Sequence, residues 1–339
     1  MRIVKYGICT LILLRVFFVS AQDIHFSNFH TNVLHVNAAY TGFFQGKYRF
    51  NAVVRDQYRT VAVPYQTVGL SFDSKLKNMH SRQDIGYGVI CTYDVAGDAH
   101  LRTFQLSVPI AHHLRTYRKT WQFSYGIMPG IYSNAIDFTY LRFPDQFDGI
   151  QYNPSLETQE NHEYTGNLLF NINAGVQALY THSKKQRYGL GISGNNLTKP
   201  RISFFDDDSI FLPQRWLFHG FAHLELRSDI DIVPACKIQF QSPQQEYHFG
   251  VLLIHYTNTV TVPRVSGGLW FRSRDKDAVI LGIGALYNGY DIILNYDINI
   301  SSLRTASKGH GAMELTVSYI ISDGNKRKKM MPVKCPAYL

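Results

Sequence analysis

The sequence predicts an all-β protein, a transmembrane antiparallel β-barrel of about 14 strands with a short periplasmic C-terminal tail. Three observations support this prediction. Apolar and polar side chains alternate every two residues along the chain, an N-terminal leader directs it to export, and aromatic residues (14%) nearly equal charged ones (17%). An average soluble protein carries about 25% charged residues, so the composition indicates apolar surface beyond an ordinary core. No run of about 18 apolar residues follows the leader, which excludes a transmembrane helix.

Residues 1–21 have the pattern of a secretory signal peptide. Arg2 and Lys5 give a basic start, and an apolar run follows from residue 8 to residue 19. Val19-Ser20-Ala21 is a small-residue cleavage site, and cleavage there makes Gln22 the first residue of the mature chain. An uncleaved anchor is the disfavoured alternative, because the apolar run is short.

The formal net charge of +9 lies mostly outside the body of the protein. The leader contains three basic and no acidic residues, which leaves +6 for the mature chain. Five of these charges lie in the C-terminal tail, at Lys326, Arg327, Lys328, Lys329 and Lys334. The remaining body is close to neutral, so the sequence gives no support for nucleic-acid binding by a basic fold.

Between the leader and the tail, the two-residue alternation predicts fourteen strands. Most of them are close to the nine to eleven residues with which a tilted strand crosses a bilayer. The predicted strands are 47–58, 65–76, 84–93, 101–111, 121–132, 166–180, 187–195, 215–226, 230–240, 246–256, 264–272, 277–287, 290–300 and 311–321.

The even number of strands predicts that both ends of the barrel lie in the periplasm. Connections that this parity assigns to the periplasm, such as 227–229 and 288–289, are short. The two longest connections, 133–165 and 196–214, fall on the extracellular side, as outer-membrane barrels require.

These boundaries divide the chain into four parts. They are a signal peptide (1–21), an N-terminal periplasmic or lumen segment (22–46), an outer-membrane β-barrel (47–321) and a basic C-terminal tail (322–339).

The alternation also predicts which face of each strand contacts lipid. In the strand 290–300, Ile292, Leu294 and Tyr296 share a face without charge, and Asp291 and Asp297 lie opposite. A charge on the lipid face near the bilayer midplane costs about 2–4 kcal/mol, so we expect the apolar faces outside and the polar faces in the lumen. A secreted sandwich or propeller is the alternative fold.

The start of the mature chain resembles PorP/SprF-family membrane proteins of the type IX secretion system. That family tends to show Gln-Asp, Phe-Ser, Asn-Pro-Ala before a glycine, Arg-x-Gln-aromatic and Pro-Tyr. The corresponding residues are Gln22-Asp23, Phe26-Ser27, Asn37-Ala38-Ala39 before Gly42, Arg55-Asp56-Gln57-Tyr58 and Pro64-Tyr65, with Ala38 in place of the usual proline.

The resemblance continues to the C-terminus through four stretches and spans essentially all of residues 22–339. They are LRFPDQFDG from Leu141, KPRISFF from Lys199, LPQRWLFHGF from Leu212 and the region from Gly268 to Ile320; a Cys-Pro pair, Cys335-Pro336, ends the match. The resemblance implies an outer-membrane component of the type IX secretion and gliding machinery. Such a barrel binds and helps export or anchor a large cell-surface adhesin, and its partners are that adhesin, other secretion subunits and outer-membrane lipid. An outer-membrane porin or substrate-selective channel is the alternative function.

Two groups of residues are candidates for partner binding. The outer loop 133–165 carries five aromatic residues: Phe138, Tyr140, Phe143, Phe147 and Tyr152. Either the loop folds into the barrel as a plug, or it presents an apolar binding surface to a secreted partner. In the tail, Lys326, Arg327, Lys328 and Lys329 either dock a periplasmic subunit or follow anionic head groups.

The sequence predicts no metal site, no cofactor and no enzymatic activity. His219 and His223 share a strand face but lie about 13 Å apart, too far to bind one ion. The run Asp206-Asp207-Asp208 matches no EF-hand pattern, and a solvated loop is expected there. His112-His113 is assigned to a periplasmic turn. Ser193 lacks the second glycine and the following helix of a nucleophile elbow.

Overall fold

A computed structural model describes residues 26–59, 63–77, 82–137, 141–156, 158, 168–203, 210–273, 277–301 and 304–322. The signal peptide and the basic tail beyond residue 322 lie outside the described residues. The described strands are β1 (Tyr48–Gln57), β2 (Tyr65–Lys77), β3 (Gln83–Ala96), β4 (Leu101–Ser107), β5 (Ile110–Arg115), β6 (Trp121–Ala135), β7 (Leu168–Ser183), β8 (Gln186–Asn195), β9 (Arg215–Arg227), β10 (Ile230–Gln241), β11 (Gln244–Tyr256), β12 (Arg264–Ser273), β13 (Ala278–Tyr287), β14 (Tyr290–Asn299) and β15 (His310–Ile321).

The strands form one closed antiparallel barrel. Strands that follow one another in the chain pair with each other, except that β4 and β5 each pair with β3 and β6. Strand β1 closes the sheet because it pairs with both β2 and β15. Tyr48 lies opposite Ser74 on one side and Ile321 on the other. The chain therefore enters and leaves the barrel at the same end, which is also the end with the short turns. This arrangement confirms the predicted closed barrel.

Strands β4 and β5 together occupy one position, so the barrel has fourteen strand positions. Both strands lie between β3 and β6, and Val108-Pro109 separates them. Proline has no amide hydrogen to donate to the sheet, which explains the interruption. The position extends to Arg115 instead of ending near residue 111, so the assignment of His112 and His113 to a turn is wrong.

The two faces of the strands separate as the alternation predicts. In β7, Leu168, Phe170 and Val176 are exposed on the outer face, whereas Asn171 and Gln177 are buried on the inner face. In β14, Ile292, Leu294 and Tyr296 are exposed and Asp291, Asn295 and Asp297 are buried. The outer surface is thus a continuous apolar band, and the charged side chains of these strands point inward.

Helical structure is confined to short turns in the described residues. They are α1 (Val33–Val36), α2 (Arg304–Ser307) and two 3₁₀ turns, Ala38–Tyr40 and Pro144–Gln146. None of the helices in this part of the chain is long and apolar enough to cross a membrane.

Candidate functional site

The lumen of the barrel is filled by the N-terminal segment of the same chain. This plug (residues 26–44) contains α1 and the first 3₁₀ turn, and every side chain in it is buried except the half-buried His35. It lies inside the barrel wall and joins β1 at the short-turn end through residues 45–47. The N-terminal segment is therefore a lumen element from Phe26 onward.

An apolar core holds the plug against the wall, mainly on the side of β9 to β13. Phe29, Val33 and Leu34 pack in a cluster with Trp270 and Ile280, which point inward from β12 and β13. Fully burying a side chain of this size stabilises the folded state by about 1.5–3 kcal/mol. Trp270 and Ile280 are thus apolar side chains on the inner face, where the alternation predicts polar ones.

On the opposite side, glycines let the plug backbone touch the wall. A Cβ on Gly86 of β3 would lie 1.9 Å from the carbonyl oxygen of Thr41, and a Cβ on Gly126 of β6 would lie 2.7 Å from the carbonyl of Ala38. Any larger residue at either position would push the plug away from the wall, because backbone atoms cannot give way as a flexible side chain does.

Polar side chains fix the middle of the plug to the wall. Asn37 Nδ2 donates to the carbonyl oxygen of Val176 at 3.0 Å, and Asn37 Oδ1 accepts from the amide of Ala39 at 2.8 Å. Ser193 Oγ donates to the carbonyl oxygen of Val36 at 2.6 Å. His113 Nε2 lies 2.8 Å from the carbonyl oxygen of Thr41 and donates to it. The bonds from Ser193 and His113 satisfy plug carbonyl groups that are buried in the lumen.

Near the long-loop end, the plug is held by a buried ionic anchor (Arg55, Asp297 and Glu314). Arg55 lies 3.0 Å from the Asp297 carboxylate and 3.4 Å from that of Glu314. The amides of Ser27 and Asn28 donate to Glu314 at 2.6 and 2.9 Å, and Ser27 Oγ donates to Asp297 at 2.6 Å. The plug and Arg55 thus bind the same two carboxylates of the wall, Asp297 and Glu314.

A second ion pair holds the other end of the plug. Arg49 lies 2.8 Å from Asp73, and both side chains are buried. The same carboxylate accepts the amide of Gly42 at 2.7 Å, and Arg49 donates to the carbonyl oxygen of Tyr40 at 3.3 Å. Gly42 has a φ of +72°, a conformation that favours glycine. Both ends and the middle of the plug are therefore tied to the wall.

The residues of the N-terminal motifs meet at these contacts. Ser27 and Arg55 join at the ionic anchor, Asn37 fixes the middle of the plug, and Gly42 binds Asp73. The motif positions were recognised in the sequence, but their common role was missed because the strand pattern says nothing about what fills the lumen.

The outer loop between β6 and β7 forms a small hairpin in its described part. Phe143 precedes the second 3₁₀ turn, Phe147 pairs with Tyr152 in an antiparallel bridge, and Arg142 lies 5.0 Å over the Tyr152 ring. Phe138 and Tyr140 lie outside the described residues. The described part of the loop is not the lumen plug, since residues 26–44 occupy that space.

The tip of this hairpin is apolar and exposed. Phe147 is 56% exposed and Ile150 is 90% exposed. Between them, Asp148 accepts the amides of Ile150 and Gln151 at 2.9 and 2.8 Å, and these bonds lower the pKa of the Asp148 carboxyl. The Asp148 side chain therefore orders the turn, which exposes the apolar side chains of Phe147 and Ile150 to the outside. We name Phe147 and Ile150 the loop tip.

The other sequence candidates are placed only in part. Lys326 to Lys329 and Asp206 to Asp208 lie outside the described residues. Among the described residues, no three potential ligands cluster closely enough to hold a metal ion. Cys91 is partly buried, Cys236 is exposed, and neither forms a disulfide.

Comparisons with known proteins identify the family and the fold. A family model described as type IX secretion system membrane protein PorP/SprF matches residues 18–319. The chain is also similar in structure to the monoaromatic hydrocarbon channel CymD, with 12% identity and a TM-score of 0.55 over 86% of this chain and 93% of that chain. A comparison with curated proteins found no match.

Two toluene transporters show the same fold. The protein TbuX of Ralstonia pickettii has 11% identity and a TM-score of 0.53 over 85% of this chain and 92% of its own. The protein TodX of Pseudomonas putida has 10% identity and a TM-score of 0.51 over 88% of this chain and 95% of its own. At these identities the similarity extends to the barrel fold alone.

Proposed function

The chain belongs to the PorP/SprF family of type IX secretion system membrane proteins and forms an outer-membrane barrel, and from this premise we propose that it acts by binding protein partners and not by conducting solutes. Its outer loops engage a large secreted surface adhesin and help to export or anchor it. Its periplasmic turns and basic tail engage subunits of the secretion machinery. The family and the fold are those of a secretion barrel and not of an enzyme class.

The observation that carries this proposal is the plug. It joins the apolar core on one side, meets glycines on the other, and shares buried carboxylates with Arg55. A barrel with a filled lumen offers partners its two rims and its outer wall. The exposed loop tip then supplies the kind of large apolar side chain that dominates protein interfaces.

A substrate-selective channel is the second candidate function. The structurally similar proteins named above include a hydrocarbon channel and toluene transporters, which favours this candidate. It requires a route past residues 26–44 or displacement of them from the lumen. The contacts at both ends and in the middle of the plug oppose displacement, and we therefore favour protein binding.

The loop tip supplies the test of the proposed function. We expect the tagged wild-type barrel, extracted gently from outer membranes, to carry a very large secreted surface protein. Phe147→Asp with Ile150→Asp should reduce the amount of that protein by about thirty-fold, because a hot-spot truncation costs about 2 kcal/mol of binding free energy. Quantitative mass spectrometry of the co-purifying chains measures the effect.

The matched control is Val260→Asp, at an 83% exposed apolar residue in a periplasmic turn. This control should leave recovery of the secreted protein unchanged. A wild-type barrel that purifies without protein partners would contradict the proposed function. Recovery that is equal for the loop-tip variant and the wild type would exclude the loop tip as the contact.

A further inference from the structure

The short-turn rim of the barrel carries its positive charge on one side. Three successive turns, β2–β3, β5–β6 and β7–β8, bring exposed cationic side chains to this rim. We name this group the basic crescent: Arg82, Arg118, Lys119, Lys184 and Lys185. Nearby acids offset it only in part, since Glu225 lies 3.6 Å from Lys185 and Asp84 is buried against Arg115 at 2.9 Å.

Two turns on the opposite side of the same rim are uncharged. The β11–β12 turn (257–263) and the β13–β14 turn (288–289) contain no acidic or basic residue. A bilayer surrounds the barrel with the same head groups on every side, so contact with lipid alone would not select charge on one half of the rim. The uneven distribution favours a partner that approaches from one direction.

An exposed aromatic residue lies within the crescent. Tyr117 is 79% exposed, and the Arg82 guanidinium lies 4.3 Å from the centre of its ring, so that the β2–β3 and β5–β6 turns are joined by a cation–π contact. Tyrosine and arginine are among the residue types that most often dominate the binding energy of interfaces.

The turn that carries Tyr117 is ordered. The amide of Thr116 donates to the carbonyl oxygen of Trp121 at 2.9 Å, and the amide of Lys119 donates to that of Thr116 at 2.9 Å. The amide of Trp121 donates back to Thr116 Oγ1 at 3.1 Å. A side chain presented on a rigid turn loses less conformational entropy when it binds, so the turn is suited to contact a partner.

We propose that the basic crescent binds an acidic surface of a periplasmic protein, with Tyr117 as the anchor side chain. The inference rests on the proposed function, since it assigns a surface and a partner chemistry to the periplasmic side of a protein-binding barrel. Positive charge steers an acidic partner to this side and makes binding sensitive to salt. The stacked tyrosine and arginine supply the apolar part of the contact.

Site-specific photo-crosslinking in intact cells tests the inference. We expect a photoreactive phenylalanine derivative in place of Tyr117 to crosslink to a protein, and the crosslinked peptide of that protein to be rich in Asp and Glu. The same residue in place of Val260, which is as exposed but lies in the uncharged β11–β12 turn, should give no such product. Crosslinks to lipid alone, or equal products at both positions, would overturn the proposal.

Charge reversal separates this inference from the proposed function. Arg82→Glu, Arg118→Glu and Lys119→Glu together should lower the crosslink at position 117 by about ten-fold or more, since steering charges change association rates by that order. Arg304→Glu, at an exposed arginine of the opposite rim, is the control and should have no effect. An unchanged crosslink in the triple variant would overturn the assignment of the basic crescent as the binding surface. The proposed protein-binding function would still stand if secreted partners co-purified with that variant.

Discussion

Removal of residues 26–44 is expected to make the outer membrane permeable to hydrophilic solutes that it normally excludes. The plug fills a barrel of fourteen strand positions, and barrels of about 16–18 strands without a plug enclose an aqueous channel. Cells that produce the deletion variant should become sensitive to large hydrophilic antibiotics, whereas cells with the full-length protein should not. Growth inhibition at a series of antibiotic concentrations measures this effect.

The control for this deletion is removal of residues 323–339, a segment of comparable length that follows β15 in the sequence. That variant should leave permeability unchanged. If the plug deletion does not assemble, Gly86→Val provides a second variant, because its side chain would collide with the backbone of Thr41 and displace the plug. An assembled plug-deletion barrel with unchanged permeability would contradict the assignment of residues 26–44 as the closure of the lumen.

Arg55→Ala is expected to cause a large loss of stability of the barrel. Arg55 is buried with Asp297 and Glu314, and its removal leaves charged carboxylates with fewer partners. Removing one member of a buried ion pair costs about 3–5 kcal/mol. The unfolding temperature should fall, measured as the temperature at which the barrel no longer migrates as the folded form in detergent gels. The plug should also become sensitive to protease.

The matched control is Arg59→Ala. Arg59 is 65% exposed and pairs with Asp56 at the surface, where an ion pair contributes about 1 kcal/mol or less. The control should therefore leave the unfolding temperature nearly unchanged. Equal effects of the two substitutions would show that the ionic anchor does not stabilise the barrel.

The strands and their faces could be predicted from the sequence because each strand carries its own signal. Lipid and lumen select different residues at alternate positions, so Ile292 and Asp291 already reveal two environments. The interruption at Pro109 was not predicted within the strand 101–111, and a proline does not by itself mark a break, since Pro129 and Pro234 lie inside continuous strands. The extension of that position to Arg115 follows from pairing with β3 and β6, which the local pattern does not contain.

The plug could not be placed from the sequence because its structure depends on distant residues. Asn37 binds the carbonyl oxygen of Val176, and Ser27 binds Asp297, so the partners lie far apart in the chain. Inward apolar residues such as Ile280 also look like lipid-facing ones, since burial against a plug and contact with lipid favour the same residue types. Only the folded barrel distinguishes the two environments.

The ion conductance of the purified wild-type barrel in a planar bilayer tests the central claim most directly. A barrel that is closed by residues 26–44 and works by binding proteins should show no steady conductance when it inserts. Stable, open conductance of the wild-type protein, with no partner present, would contradict the account and identify a porin.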